Sequence, residues 1–551
     1  MILIPSEHAE KFHETGIWGN VTLDGLFRKN AEAHPDRVAM VDAPDRETWT
    51  GGAPRNLTYR EMDREIERVA GMFTTLGLTP DNVVGFQVVS TVDSVVTMLA
   101  ALRAGLVVSP LPLTWGNREI TAAMSRISAK AIVASDRCED ISIGENIRDA
   151  AVDLFGLRFV LGLGEDLPDG LIDVHSFLAE AGDELPEVEL NRQGIAADHI
   201  ATLSWSTGPD GLPFPVPRNH NHWIAAGLMT MLEANLKEGC QIVSPYSPSN
   251  LVGFGAALVP WLLRAGTLHL CHPVSMSALI HRIVESEADL AVVPGPLLAS
   301  LTSRLPATTD GVTLGAAWAS GVQLHGQPEA SRQRPIVDLT ILDELAIVAI
   351  KRSEGSSTPA PLEMGDCSAP SEAEGAPVLL TLSGKAEQNS APLCLSGPMV
   401  PTEPWDSEHE YWPSNDSGLL ETRLQVLTNG QSVSQLSLRT SPGDRFFYAG
   451  TTGYLEAIDE IYAGFPGAKD AAAFLMDDPI IGCRLCAAVV PADGAGLDEA
   501  AFQSHLENMR AGLQLMPSEV VSVTAIPRNE IGSVIRETLS PEANMSATAT
   551  A

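Results

Sequence analysis

Residues 82–112 read NVVGFQVVSTVDSVVTMLAALRAGLVVSPLP, and their pattern decides the fold. NVVGFQVV is a continuous apolar run of strand length. TVDSVVTMLAALRAG follows as a helix that ends at Gly105. LVVSPLP returns to strand. Strands that are apolar on both faces and alternate with helices imply a parallel sheet covered on both sides.

The same alternation extends outward. In LTYREMDREIERVAGMFTTLGL, residues 57–78, Thr58 and Glu61 form a capping box. Met62, Ile66, Val69, Phe73 and Leu76 then recur at helical spacing. Downstream, NREITAAMSRIS is a helix and AKAIVAS a strand. After a loop near residues 165–200, ATLSW is a short strand and NHWIAAGLMTMLEANL a helix. GAALVPWLLRAGTLHL, SMSALIHRIVESEAD and LAVVPGPLLASLTSRL continue the alternation. Residues 352–376 are dominated by Ser, Pro, Ala, Gly and Glu without apolar periodicity. They read as an exposed, flexible insert, and residues 541–551 as a disordered tail.

Composition sets limits. A chain of 551 residues needs more than one core. Its 70 acidic residues against 35 Lys plus Arg give a net charge of −35, which repels phosphate backbones and argues against a nucleic-acid partner. Seven cysteines make no disulfide framework. Cys483 and Cys486 form the one close pair, and no second pair completes a zinc set, so they read as residues of a buried strand. The start of the chain lacks a basic, then apolar, leader, and LVGFGAALVPWLLRAG is broken by Gly and Pro. No membrane span is expected, and the reading is cytoplasmic.

Several segments resemble the adenylate-forming superfamily of acyl-CoA synthetases, aryl-acid ligases and peptide-synthetase adenylation domains. LTYREM resembles its L-T-Y-x-E-L segment, and ALRAGLVVSPLPL its L-K-A-G-x-x-x-x-P-L strand. ATLSWSTGPDGLPFPVPRNHNH resembles its phosphate loop, and LCLSGPMV its L-x-V-x-G-P-x-V strand. FPGAKDAAAFLMDDPIIGCRLCAAVVP and LQLMPSEVVSVTAIPRNEIGSVIRETL resemble its small C-terminal domain. The matches keep their order from about residue 20 to residue 540. The resemblance implies an α/β fold with a large N-terminal domain, residues 1–443, carrying parallel sheets flanked by helices. A small α+β domain over 444–540 follows, with the hinge at Asp444.

It also implies a chemistry: ATP with Mg2+ activates a carboxylate, and CoA or an acyl carrier protein accepts the acyl group. That reaction needs phosphates cradled by amides and cations, and charge at phosphorus neutralised. The family's S/T-S-G-T-T-G-x-P-K-G falls on Ser206-Thr207-Gly208-Pro209-Asp210-Gly211-Leu212-Pro213-Phe214-Pro215. Ser206, Thr207, Gly208 and Gly211 remain as vestigial nucleotide-binding positions. Pro209 has no amide proton, Asp210 is anionic, and Phe214 stands where the family has lysine. The magnesium-binding glutamate falls on Glu344, beside Asp343, with a solvated loop acid as the other reading. The ribose-binding aspartate falls on Asp416. The arginine ahead of the hinge falls on Ser441, and the lysine of P-x-x-x-x-G-K-I-x-R on Ser533, between Gly532 and Arg536. His220 reads as part of a helix start, and Pro248 occupies the acyl-gate position.

Three losses on one step point to a scaffold that binds a small carboxylate or acyl thioester with adenylation lost or impaired. A second reading is an active ligase whose charge comes from Arg439, Arg445 or Arg528. A third is an ATP-independent acyl transferase or a carrier-protein interaction module.

Overall fold

The computed structural model describes residues 1–182, 184–188, 190, 192–208, 210–272, 275–319, 334–384, 390–406, 412, 419–427, 438–439, 445–448, 451–478, 482–492, 496–509, 511–529 and 532–539. The segment 82–112 folds as read: strand Val83–Gln87, helix Val92–Arg103, strand Val107–Pro110. Gly105 takes a left-handed φ of 73° at the helix end, where a side chain would be strained. Thr58 and Glu61 form the capping box that opens helix Tyr59–Thr75.

Two large sheets make the N-terminal body. The first has seven strands, in the order Pro213–Asn219, Ile200–Thr207, Val107–Pro110, Val83–Gln87, Ala131–Ser135, Phe159–Leu163, Ile172–Asp173. All its neighbours pair parallel except the edge hairpin Ile200–Thr207/Pro213–Asn219. The second has eight strands; Leu290–Pro294, Thr313–Ala319 and Ile336–Leu342 run parallel there, and Ala346–Lys351 turns back antiparallel. Helices such as Tyr59–Thr75, Val92–Arg103 and His220–Glu233 supply the apolar layer between and around them. Burial of both strand faces is why the sequence shows runs of Val, Ile and Ala instead of alternation.

Residues 352–376 are largely exposed, as read, but they are not without regular structure. They carry strand Gly365–Ser368, paired antiparallel with Val378–Ser383 in a five-stranded sheet. Arg352 is buried against Asp338, and the Ser371 amide and hydroxyl both donate to Glu233 at 2.7 Å. Two buried carboxylates elsewhere in the chain require these donors, a demand that segment composition does not display.

A smaller C-terminal unit follows, with helix Leu455–Ala463, strands Ala468–Asp478, Gly482–Pro491 and Glu519–Ser522, and helix Glu499–Asn508 around its own core. Cys486 is buried on the central strand and its thiol is pushed up to about 11 by burial. Among the described residues no group of three or more His, Cys, Asp or Glu side chains is placed to hold a metal. No described helix is long and apolar enough to cross a membrane. Asp444 and residues 541–551 lie outside the described residues.

Candidate functional site

The phosphate-loop segment is a tight hairpin. Ser206 pairs with Phe214 and Thr207 with Pro213 across the two edge strands. Within the turn, the Gly208 amide donates to Leu212 O at 2.8 Å and the Gly211 amide to Gly208 O at 3.0 Å. The Leu212 amide donates to Asp210 Oδ1 at 3.0 Å. Asp210 thus folds its carboxylate over the turn, where a Cβ on Gly208 would meet Oδ1 at 2.5 Å. These amides are the groups that a phosphate would recruit, and here they serve the hairpin itself. Gly211, at φ 72°, is required by the turn geometry. Phe214 is 2% exposed and belongs to the main core.

Facing this hairpin is an acidic turn. Strand Ile336–Leu342 reverses into Ala346–Lys351 through Asp343 and Glu344, both left-handed, with φ 54° and 56°. Two such residues match the twist of a hairpin but strain side chains other than Gly, Asn or Asp. Ser206 Oγ donates to Asp343 Oδ1 at 3.4 Å, so the loop and the acidic turn meet. Glu344 is not a solvated loop acid: it is 4% exposed. The Leu251 amide donates to its Oε2 at 2.9 Å, while Oε1 is buried with no hydrogen-bond partner among the described residues. Burial pushes the carboxyl up to about 7, against a smaller opposing pull from that hydrogen bond and Arg218. An orphaned carboxylate oxygen in this position fits a hard divalent cation such as Mg2+.

Arg218 holds the two parts together, and sequence reading passed over it. It lies on strand Pro213–Asn219 with no exposure. Its guanidinium donates to Ser204 Oγ and to the Glu344 carbonyl, and it sits 5.0 Å over the Trp223 ring. The sequence signal was a lone arginine closing the apolar run PFPVP. Ahead of it in the fold, residues Leu251 to Leu258 include a π-helical segment, Val252–Leu258, a wide turn often found at functional sites.

The remaining sequence-predicted positions fall as follows. His220 opens helix His220–Glu233, and its Nδ1 accepts the Leu23 amide at 3.2 Å. Pro248 is buried. The Ser533 amide donates to Asn529 Oδ1 at 2.9 Å within a turn closed by Arg528 and Val534. Arg528 is committed to Asp470 at 3.0 Å. Asp416, Ser441 and Pro209 lie outside the described residues, as do the side chains of Arg439 and Arg445.

The C-terminal unit closes over the hairpin. A Cβ on Gly211 would lie 2.6 Å from Ala457 Cβ. The Leu513 amide donates to Thr114 O at 2.8 Å. Between the two units, among Trp115, Thr207, Gly211, Tyr454, Ala457 and Gln514, a crevice of about 30 Å3 remains, room for water and not for a triphosphate.

A body of parallel sheets whose glycine hairpin meets an acidic turn, with a small C-terminal unit against the hairpin, is the architecture of adenylate-forming ligases. The chain belongs to the AMP-binding enzyme family, whose model matches residues 27–332. It is 25% identical over 568 residues to the Salicyl-AMP ligase / salicyl-S-ArCP synthetase of Mycobacterium tuberculosis, covering 96% of this chain and 92% of that one. It is 23% identical to a Salicylyl-CoA synthase / salicylate adenylyltransferase of a Streptomyces species, covering 97% and 96%. Among solved structures, the amide bond synthetase McbA from Marinactinospora thermotolerans superposes with a TM-score of 0.69 at 17% identity, covering 93% of this chain and 98% of that one. The apo structure of MbtA from Mycobacterium smegmatis gives 0.62 at 19% identity, covering 98% of each.

Proposed function

We propose that this protein uses the ligase scaffold to bind a small carboxylic acid or its thioester, with ATP-dependent adenylation lost or strongly impaired. The observation that carries the reading is the hairpin at Gly208–Leu212, where the Gly208, Gly211 and Leu212 amides are spent internally. Phe214, buried where a lysine would stand, and Ser533, neutral at the second lysine position, support it. A bound nucleotide supplies the activated phosphorus to which a carboxylate is joined. This chain offers that group Glu344 for its cation, and no described lysine at either position. Loss of such a charge costs on the order of 10²–10³ in rate.

Relatives named for salicylate suggest an aromatic acid, and one named for an aryl carrier protein suggests that the acyl acceptor is a carrier protein or CoA. The test is ATP–pyrophosphate exchange across aromatic and aliphatic acids, beside calorimetry with Mg-ATP. The expected result is exchange at background and binding weaker than millimolar. Micromolar Mg-ATP binding with exchange above background would refute the reading.

One observation favours a second reading, an active ligase of unusual mechanism: Glu344 keeps a buried, unpaired oxygen in place. Exchange that depends on Mg2+ and disappears in Glu344→Gln would establish it.

A further inference from the structure

A cavity of about 450 Å3 opens in the N-terminal body, and neither the hairpin nor the acidic turn lines it. It lies where strand Phe159–Leu163 ends and helices Val92–Arg103 and Val174–Ala181 begin. Crevices at the carboxyl ends of parallel strands are the usual seats of small ligands, and the volume suits one. Val69, Val96, Val174 and Leu178 form an apolar wall.

The polar lining is balanced. Arg46, Arg55 and Arg68 are matched by Glu65, Asp93 and Glu165, with His175 beside them. Asp93 bridges Arg46 and Arg55, and Arg55 also reaches Glu65. Arg46 extends to Asp42 behind the cavity at 2.6 Å, and His175 Nε2 lies 3.8 Å from Asp93. Arg68 donates to the Leu178 and Gly182 carbonyls. A ligand with one net charge would unbalance these pairs, whereas one carrying both signs is matched.

One donor is left over. Arg46 is buried, and its Nε–H has no acceptor among the described residues. A buried donor in that state is costly unless a bound group satisfies it. Gly52, also in the lining, packs against this side chain: a Cβ there would sit 3.1 Å from Arg46 Nη2 and 3.6 Å from Nε.

We propose that this cavity binds a small zwitterion with an apolar side chain, an α-amino acid, as an accessory ligand. Arg46 and Arg68 recognise its carboxylate, Glu65 and Glu165 its ammonium, and the wall of Val69 and Leu178 its side chain. The experiment is thermal denaturation and calorimetry of the full chain with L-leucine, L-valine and L-phenylalanine at millimolar concentration. Isovalerate carries only the anion and isoamylamine only the cation. An amino acid should raise Tm by about 2 °C or more, in line with ordinary ligand linkage, and neither single-charge analogue should match it. Arg68→Gln, at an exposed side chain, should weaken binding at least tenfold. Leu178→Trp should fill the cavity and abolish the shift. No shift with any amino acid, an equal shift with isovalerate or isoamylamine, or a shift retained in both folded variants would overturn the proposal.

Discussion

Phe214 shows how a single position joins stability to function. The ring is in the core, so the site cannot be repaired by returning a lysine there. Phe214→Lys is expected to lose about 3–5 kcal/mol, the cost of removing a buried phenyl, with a desolvated ammonium adding to it. Ser533→Lys, in a surface turn, should stay within about 0.5 kcal/mol of the parent. Urea denaturation of the two variants checks both, and equal midpoints would contradict the burial. Asp210 is the more useful target. Asp210→Ala removes an anion from the turn and frees the Leu212 amide. It should cost about 1 kcal/mol in stability and tighten Mg-ATP binding several-fold. Calorimetry showing weaker binding would mean that the carboxylate does not guard the loop.

At the scale of elements, the hairpin and the acidic turn act as one unit because Arg218 ties Ser204 to the Glu344 carbonyl. Arg218→Met leaves both oxygens and Glu344 without a buried cation, and about 3–5 kcal/mol of destabilisation is expected, read from urea midpoints. Mg2+ or Mn2+ should raise the Tm of the parent, and Glu344→Gln should erase that rise. An equal rise in the variant would place the cation elsewhere. The parallel strands were legible because burial on both faces leaves an unbroken apolar run, as in residues 82–112. The acidic turn was not. Nothing within TILDELA shows that Leu251 and Arg218, distant in sequence, will close over Glu344. The strand at Gly365–Ser368 was hidden for the same reason. The motif marked Ser206, Thr207, Gly208 and Gly211 as one loop, but it did not reveal that Phe214 would turn into the core.

For the whole molecule, acid should be destabilising in a defined window. His220 and His222 are both buried, and burial holds each at about 3, against an ordinary 6.5. Both are therefore neutral in the fold, while the unfolded chain takes up protons below pH 6.5. Stability is complete above that pH and falls as pH drops from 6.5 towards 3. At pH 5 each histidine removes about 2 kcal/mol. His220→Asn keeps an acceptor for the Leu23 amide and should narrow the gap between pH 7.5 and pH 5 by about that amount. Urea midpoints at the two pH values test it, and an unchanged gap would show that His220 is protonated in the native state.

The closure of the C-terminal unit has an optical consequence. Trp115 borders the crevice beside Gly211 and Ala457, is 6% exposed, and lies edge-on to Trp205 with ring centroids 5.6 Å apart. Swinging that unit away would wet the indole, so emission should move to longer wavelength whenever the cleft opens. With nine tryptophans in the chain the change is a fraction of the whole signal, and Trp115→Phe isolates it by difference. Stopped-flow fluorescence would then follow opening in real time, with no added dye and no turnover.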